Sequence, residues 1–77
     1  MRYTSKVEIR NKFRNITDIV SIIEINLRKI QKELETKYRN VEFKEYKFEK
    51  YVPWDSYGGV HLVEGKKYYI VFYFEVD

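Results

Sequence analysis

The sequence predicts an α+β fold: a β-α-β-β chain with one long helix packed on a mainly antiparallel sheet of three to four strands. Three observations carry that expectation. The N-terminal segment alternates apolar and polar residues, the middle of the chain holds one apolar stripe at helical spacing, and the C-terminal segment is apolar on both faces. At 77 residues the chain has material for one core and not two, so positions 1–77 are expected to form a single domain.

Positions 3–9 place Tyr3, Ser5, Val7 and Ile9 on one side and Thr4, Lys6 and Glu8 on the other, flanked by Arg2 and Arg10 in the same phase. That is the pattern of a half-buried strand with one polar face. A polar connector follows, in which Phe13 is the one apolar residue. Asn15 then suits a helix cap and Asp18 the positive helix end. Ile16, Ile19, Val20, Ile23, Leu27, Ile30, Leu34 and Tyr38 recur in one stripe, which predicts a helix over 15–39. Glu33 and Lys37 are spaced for a supporting pair, and Asn40 suits a left-handed stop.

Positions 41–52 are β-like, but the apolar residues fall at 41, 43, 46, 48 and 51. Strict alternation fails near Lys44–Glu45 and again near Glu49–Lys50, which predicts bulges. Alternating Glu and Lys there suit an edge strand protected from aggregation. Pro53 ends this segment, and 54–59 form a loop. Positions 60–63 and 66–76 resemble a hairpin with Gly65 in its turn. The last segment, apolar on both faces, suits a central strand.

Composition narrows the chemistry. There is no cysteine and a single histidine, His61, so disulfides, thiolate metal sites and histidine-rich zinc sites are excluded. A chain of this size buries only about 60% of its unfolded surface. Eight Tyr, five Phe and one Trp supply compensating bulk, and self-association would supply more. No apolar run is long enough to span a membrane and no signal-peptide pattern opens the chain, so the expectation is a cytoplasmic protein without a membrane partner. The Lys-, Ile-, Asn- and Tyr-rich composition suits the AT-rich genome of a phage or mobile element.

Charge is uneven. Residues 1–40 carry ten Lys/Arg against five Asp/Glu, and residues 41–77 carry five against seven. Positions 2–14 hold five cations and Glu8 as the single anion, a pattern that suits either nucleic-acid contact or a solvated face.

No catalytic constellation is legible. Asp55, Ser56 and His61 lack the Gly-x-Ser-x-Gly surround of a nucleophile elbow. Asp55, His61 and Glu64 lack a metal-ligand spacing, and Gly58-Gly59 lacks the Lys-Ser/Thr of a phosphate loop. No enzyme, cofactor or metal is therefore expected. Two surfaces stand out instead. Ile22 and Ile25 lie off the main helical stripe and mark a self-association surface for a homodimer. Arg2, Lys6, Arg10, Lys67, Tyr69 and Tyr73 fall in phase on the sheet face away from the helix, forming a partner-binding surface to which the loop residues Trp54 and Tyr57 are added. In that loop Trp54 serves either as a docking tip or as a lid over the core edge, the lid being favoured. The leading expectation is a non-enzymatic module for protein–protein interaction, with the profile of a small phage or mobile-element inhibitor. The alternatives are a DNA- or RNA-binding protein using a basic, tyrosine-rich sheet face, and a sponge for a small nucleotide. The usual aromatic RNA-recognition run is missing.

Overall fold

A computed structural model describes residues 1–10, 16–54, 57, 59, 60, 63 and 65–77, with Ile16 described by its backbone alone. The order is β1 (Arg2–Ile9), α1 (Ile16–Glu35), β2 (Val41–Phe48) and β3 (Tyr68–Val76). The three strands lie in the order β1-β3-β2, and both pairings are antiparallel. The predicted fold class holds, with three strands among the described residues.

β3 is central because only this strand is apolar in both phases. Ile70, Phe72, Phe74 and Val76 are at most 2% exposed beneath the helix, while Val71 on the opposite face is also buried. The helix answers with Ile19, Ile23, Ile30 and Leu34, which join that β3 row in one core. Burying each such side chain contributes about 1.5–3 kcal/mol. The Phe43 ring meets Phe74 edge-on at 5.5 Å, tying β2 into the same layer. The helix lies over β2 and β3, so Tyr3, Val7 and Ile9 of β1 are only half-buried against the core.

The helix stops earlier than its apolar stripe suggests. It ends at Glu35, not at 39. The Thr36 hydroxyl donates to the Glu33 carbonyl at 2.6 Å, and the Lys37 and Tyr38 amides both turn back to the Leu34 carbonyl. A hydroxyl that satisfies a terminal carbonyl locally competes with helix continuation. Lys37 thus falls in the closing turn, and the ion pairs of the described residues do not include Glu33–Lys37. Asn40 is not a left-handed stop, since no described residue other than glycine has positive φ. Its amide and carbonyl both pair with Asp77, at 3.0 and 2.9 Å. Sheet pairing, not helix termination, sets its conformation. The N-cap expected at Asn15 lies outside the described residues.

In β2 the first expected bulge is present: the register on β3 shifts between Phe43 and Glu45. Lys44 is the extra residue, and it returns Tyr46 and Phe48 to the helix side. The second slip is not a bulge within the strand. β2 ends at Phe48 and residues 49–50 form a bend, although the Glu49 amide still reaches the Tyr69 carbonyl at 3.1 Å. Gly65 takes the expected turn with φ of 83°, closed by the Lys66 amide on the Val63 carbonyl at 3.2 Å. Val60, however, bridges Trp54 rather than β3, because the aromatic Trp54 docks back on Phe48 and brings its own backbone alongside. The expected short extra strand therefore forms no ladder with β3 among the described residues. Positions 61, 62 and 64 lie outside them.

Candidate functional site: the open face of the sheet

The helix covers one face of the sheet, and among the described residues nothing is packed over the other. Strand alternation decides what that face carries. The central row is Tyr69, Val71, Tyr73 and Glu75, flanked in register by Glu8, Lys6, Thr4 and Arg2 of β1. On the β2 side, Lys47, Glu45 and Glu42 stand opposite Val71, Tyr73 and Glu75.

Lysine stems and tyrosine rings are layered on one another here. Lys6 reaches from β1 across the central strand to Glu49, with Nζ 2.7 Å from a carboxylate oxygen and 4.3 Å from the centre of the Tyr69 ring. Lys47 from the other edge holds its Nζ 5.8 Å from the centre of the Tyr73 ring. Such contacts let apolar stems shield the sheet while the charged heads stay in water. The Glu49 hydrogen bond raises the Lys6 pKa above the ordinary lysine value of 10.5; desolvation opposes it, and the charges of Glu49 and Tyr69 add to the rise. A raised folded-state pKa means that this contribution is complete below the ordinary lysine pKa. It is lost only as pH rises through the folded value, so across neutral pH the strap is constant. At the bulge, a hollow of about 450 Å³ opens beside Tyr73, bordered by Arg2, Lys44, Glu45, Lys47 and Glu75.

The structure brings together four of the residues expected on this face: Arg2, Lys6, Tyr69 and Tyr73. Arg10 lies just past the end of β1, where its guanidinium pairs with Glu8 at 3.3 Å. Lys67 lies just before β3 and is exposed. Sequence phase continued onto both residues, but the ladder does not. What the sequence reading omitted is the acidic half of the face. Arg2, Lys6, Lys44 and Lys47 are matched by Glu8, Glu42, Glu45, Glu49 and Glu75. The signal was present, since one bulge at Lys44 places Glu45 and Lys47 in phase with Glu42. The face is therefore one of mixed charge, not a basic stripe.

The loop aromatics separate. Trp54 is half-buried against the core and meets Phe48 edge-on at 4.9 Å, as a lid. Tyr57 is 96% exposed. The isoleucine pair separates as well. Ile25 is 63% exposed, but Ile22 is half-buried and packs on the core. The buried stripe centres on Ile19, Ile23, Ile30 and Leu34 and leans toward Ile22, while Val20, assigned to the stripe, is 48% exposed. Ile22 and Ile25, expected to be exposed side by side, therefore differ: Ile25 faces water and Ile22 lies on the flank of the core.

Among the described residues no group of three or more His, Asp or Glu side chains is placed to hold a metal ion, and no described helix is long and apolar enough to cross a membrane. Asp55, Ser56, His61 and Glu64 lie outside the described residues. No protein-family model, curated protein or solved structure matches the chain.

Proposed function

We propose that this chain is a non-enzymatic interaction module that binds another protein through the open face of its sheet, acting as a small inhibitor does, by occupying a surface. The observation that carries this reading is the composition of that face. A tyrosine-valine-tyrosine row lies between cations and carboxylates in comparable number. Tyr and Arg are the residue types enriched at protein interfaces. A polyanion would meet Glu42, Glu45, Glu49 and Glu75 as repulsive charges, and the Lys6 ammonium is already neutralised by Glu49. These features weigh against a DNA- or RNA-binding role and against a nucleotide sponge.

The test is affinity capture from the native host with wild-type and Tyr69→Ala/Tyr73→Ala baits, alongside titration of random oligonucleotides. The expected result is a partner protein held by wild type and weakened more than tenfold by the tyrosine change, since aromatic anchors carry interface energy while rim charges tune association rate. Ser56→Ala and His61→Ala baits are expected to retain the partner and the biological effect. Binding to oligonucleotides with a log–log salt slope of about −2 to −3 would overturn the proposal, as would loss of the effect in His61→Ala with partner binding intact.

A further inference from the structure

The two sheet edges are managed differently. The β2 edge carries the Lys44 bulge and three lysines, Lys44, Lys47 and, just beyond it, Lys50. These are devices that deter a further strand. β1 is an eight-residue strand with neither bulge nor proline, and among the described residues it pairs on one side only. Met1 and Val76 exchange both backbone hydrogen bonds, at 2.9 and 2.8 Å. Antiparallel alternation then turns the amides and carbonyls of Tyr3, Ser5, Val7 and Ile9 toward β3, and those of Arg2, Thr4, Lys6 and Glu8 outward. The outward groups form the free edge.

We infer that β1 pairs antiparallel with β1 of a second copy of this chain, joining two three-stranded sheets into one of six strands with both helices on the same side. Three independent features select one register. Outward-facing residues must pair with outward-facing residues, which fixes the phase. Within that phase, one alignment sets Arg2 opposite the partner's Glu8 and Thr4 opposite the partner's Lys6, with Ser5 facing the partner's Ser5 on the two-fold axis. The neighbouring alignments oppose Lys6 to the partner's Lys6, or Arg2 to the partner's Lys6, and like charges directly opposite destabilise. The favoured alignment also sets Tyr3 against the partner's Val7 and Met1 against the partner's Ile9. It thereby covers apolar residues that the helix, lying over β2 and β3, leaves half-buried, together with Met1 at 72% exposure.

Area supports the same occupant. Three strands spaced about 4.8 Å apart and roughly 27 Å long present roughly 400 Å² of open face, half of the roughly 800 Å² that each partner contributes to a standard interface. Two copies joined at β1 present the standard area. The match in area rests on the proposed reading of the open face, whereas the edge geometry and the charge register of β1 stand without it.

The experiment is light scattering of the full chain over a concentration series up to about 1 mM, a ceiling that still detects an association of roughly 4 kcal/mol. Wild type is expected to move from a mass of 9.5 kDa toward twice that value. Thr4→Pro deletes an outward amide that β3 does not use; it is expected to remain folded by circular dichroism and monomeric throughout. Arg2→Glu is expected to weaken the dimer at least tenfold and Arg2→Glu/Glu8→Arg to restore it. The two central Cα atoms, about 4.5 Å apart in a non-hydrogen-bonded pair, lie within disulfide range. Ser5→Cys is therefore expected to cross-link in a glutathione buffer that leaves Glu42→Cys, on the opposite edge, reduced. A wild type that stays monomeric at every concentration overturns the pairing. A folded Thr4→Pro that still dimerises overturns it too, and so does a dimer in which Ser5→Cys cross-links no faster than Glu42→Cys.

Discussion

At the scale of single residues, Ile22 and Ile25 show how burial depends on where a helical stripe is centred. Both are apolar and both lie off the strongest stripe in the sequence. A helix tolerates about 40° of rotation in the assignment of its buried face when Val20 and Leu27 are counted equally with Ile19 and Ile23. The sheet removes that freedom. Phe72 and Phe74 seat Ile19, Ile23, Ile30 and Leu34, which brings Ile22 onto the flank of the core and turns Val20 outward. Ile25→Glu is therefore expected to shift stability by less than about 0.5 kcal/mol, as surface changes do. Ile22→Glu, which places a charge beside the core, is expected to cost about 1–3 kcal/mol. Paired urea melts separate the two, and equal midpoints would show that Ile22 faces water.

At the scale of elements, the strands were legible and their ends were not. β1 and β3 follow from period and apolar content alone, because a two-residue repeat and a doubly apolar run admit few other placements. The end of α1 depended on the Thr36 hydroxyl and on the pairing of Asn40 with Asp77, a contact between residues far apart in the chain that no local propensity encodes. The open face was half legible for a related reason. The phase of β1 and β3 gives Arg2, Lys6, Tyr69 and Tyr73, but the carboxylates arrive only once β2 is placed beside β3. The Lys44 bulge was readable because it repairs the phase of an otherwise alternating strand. Deleting Lys44 leaves Val41, Phe43, Tyr46 and Phe48 in unbroken alternation, so the variant is expected to fold with a regular β2–β3 ladder and an unchanged or higher melting temperature. Deleting Lys47 instead makes Tyr46 and Phe48 neighbours and turns Phe48 away from Ile70 and Trp54. A one-residue slip of this kind moves side chains to the wrong face, and cooperative melting by circular dichroism is expected to be lost or strongly lowered.

At the scale of the whole molecule, the layer is thin: one helix on one sheet, in an elongated body of 40 × 21 × 20 Å. A chain of this length has a net stability of roughly 4–12 kcal/mol at the usual value per residue, and there is no cysteine to add a cross-link. The helix leaves the β1 margin of the core half-covered, and the free backbone groups of β1 run along that same margin. Pairing two copies there completes the ladder and covers the margin in one step. Folding and association are then linked, because a partner that binds only the folded state stabilises it by mass action. For a dimer, each tenfold rise in concentration adds about 0.7 kcal/mol per protomer, half of the roughly 1.4 kcal/mol that a tenfold change carries. In a domain of this size that corresponds to a rise of roughly 3–6 °C in melting temperature. Differential scanning calorimetry of wild type across two decades of concentration is expected to show this climb, and Thr4→Pro is expected to melt at one temperature throughout. A wild-type midpoint independent of concentration, over a range in which light scattering reports dimer, would mean that the protomers separate before they unfold, and that the β1 margin is stable without its partner.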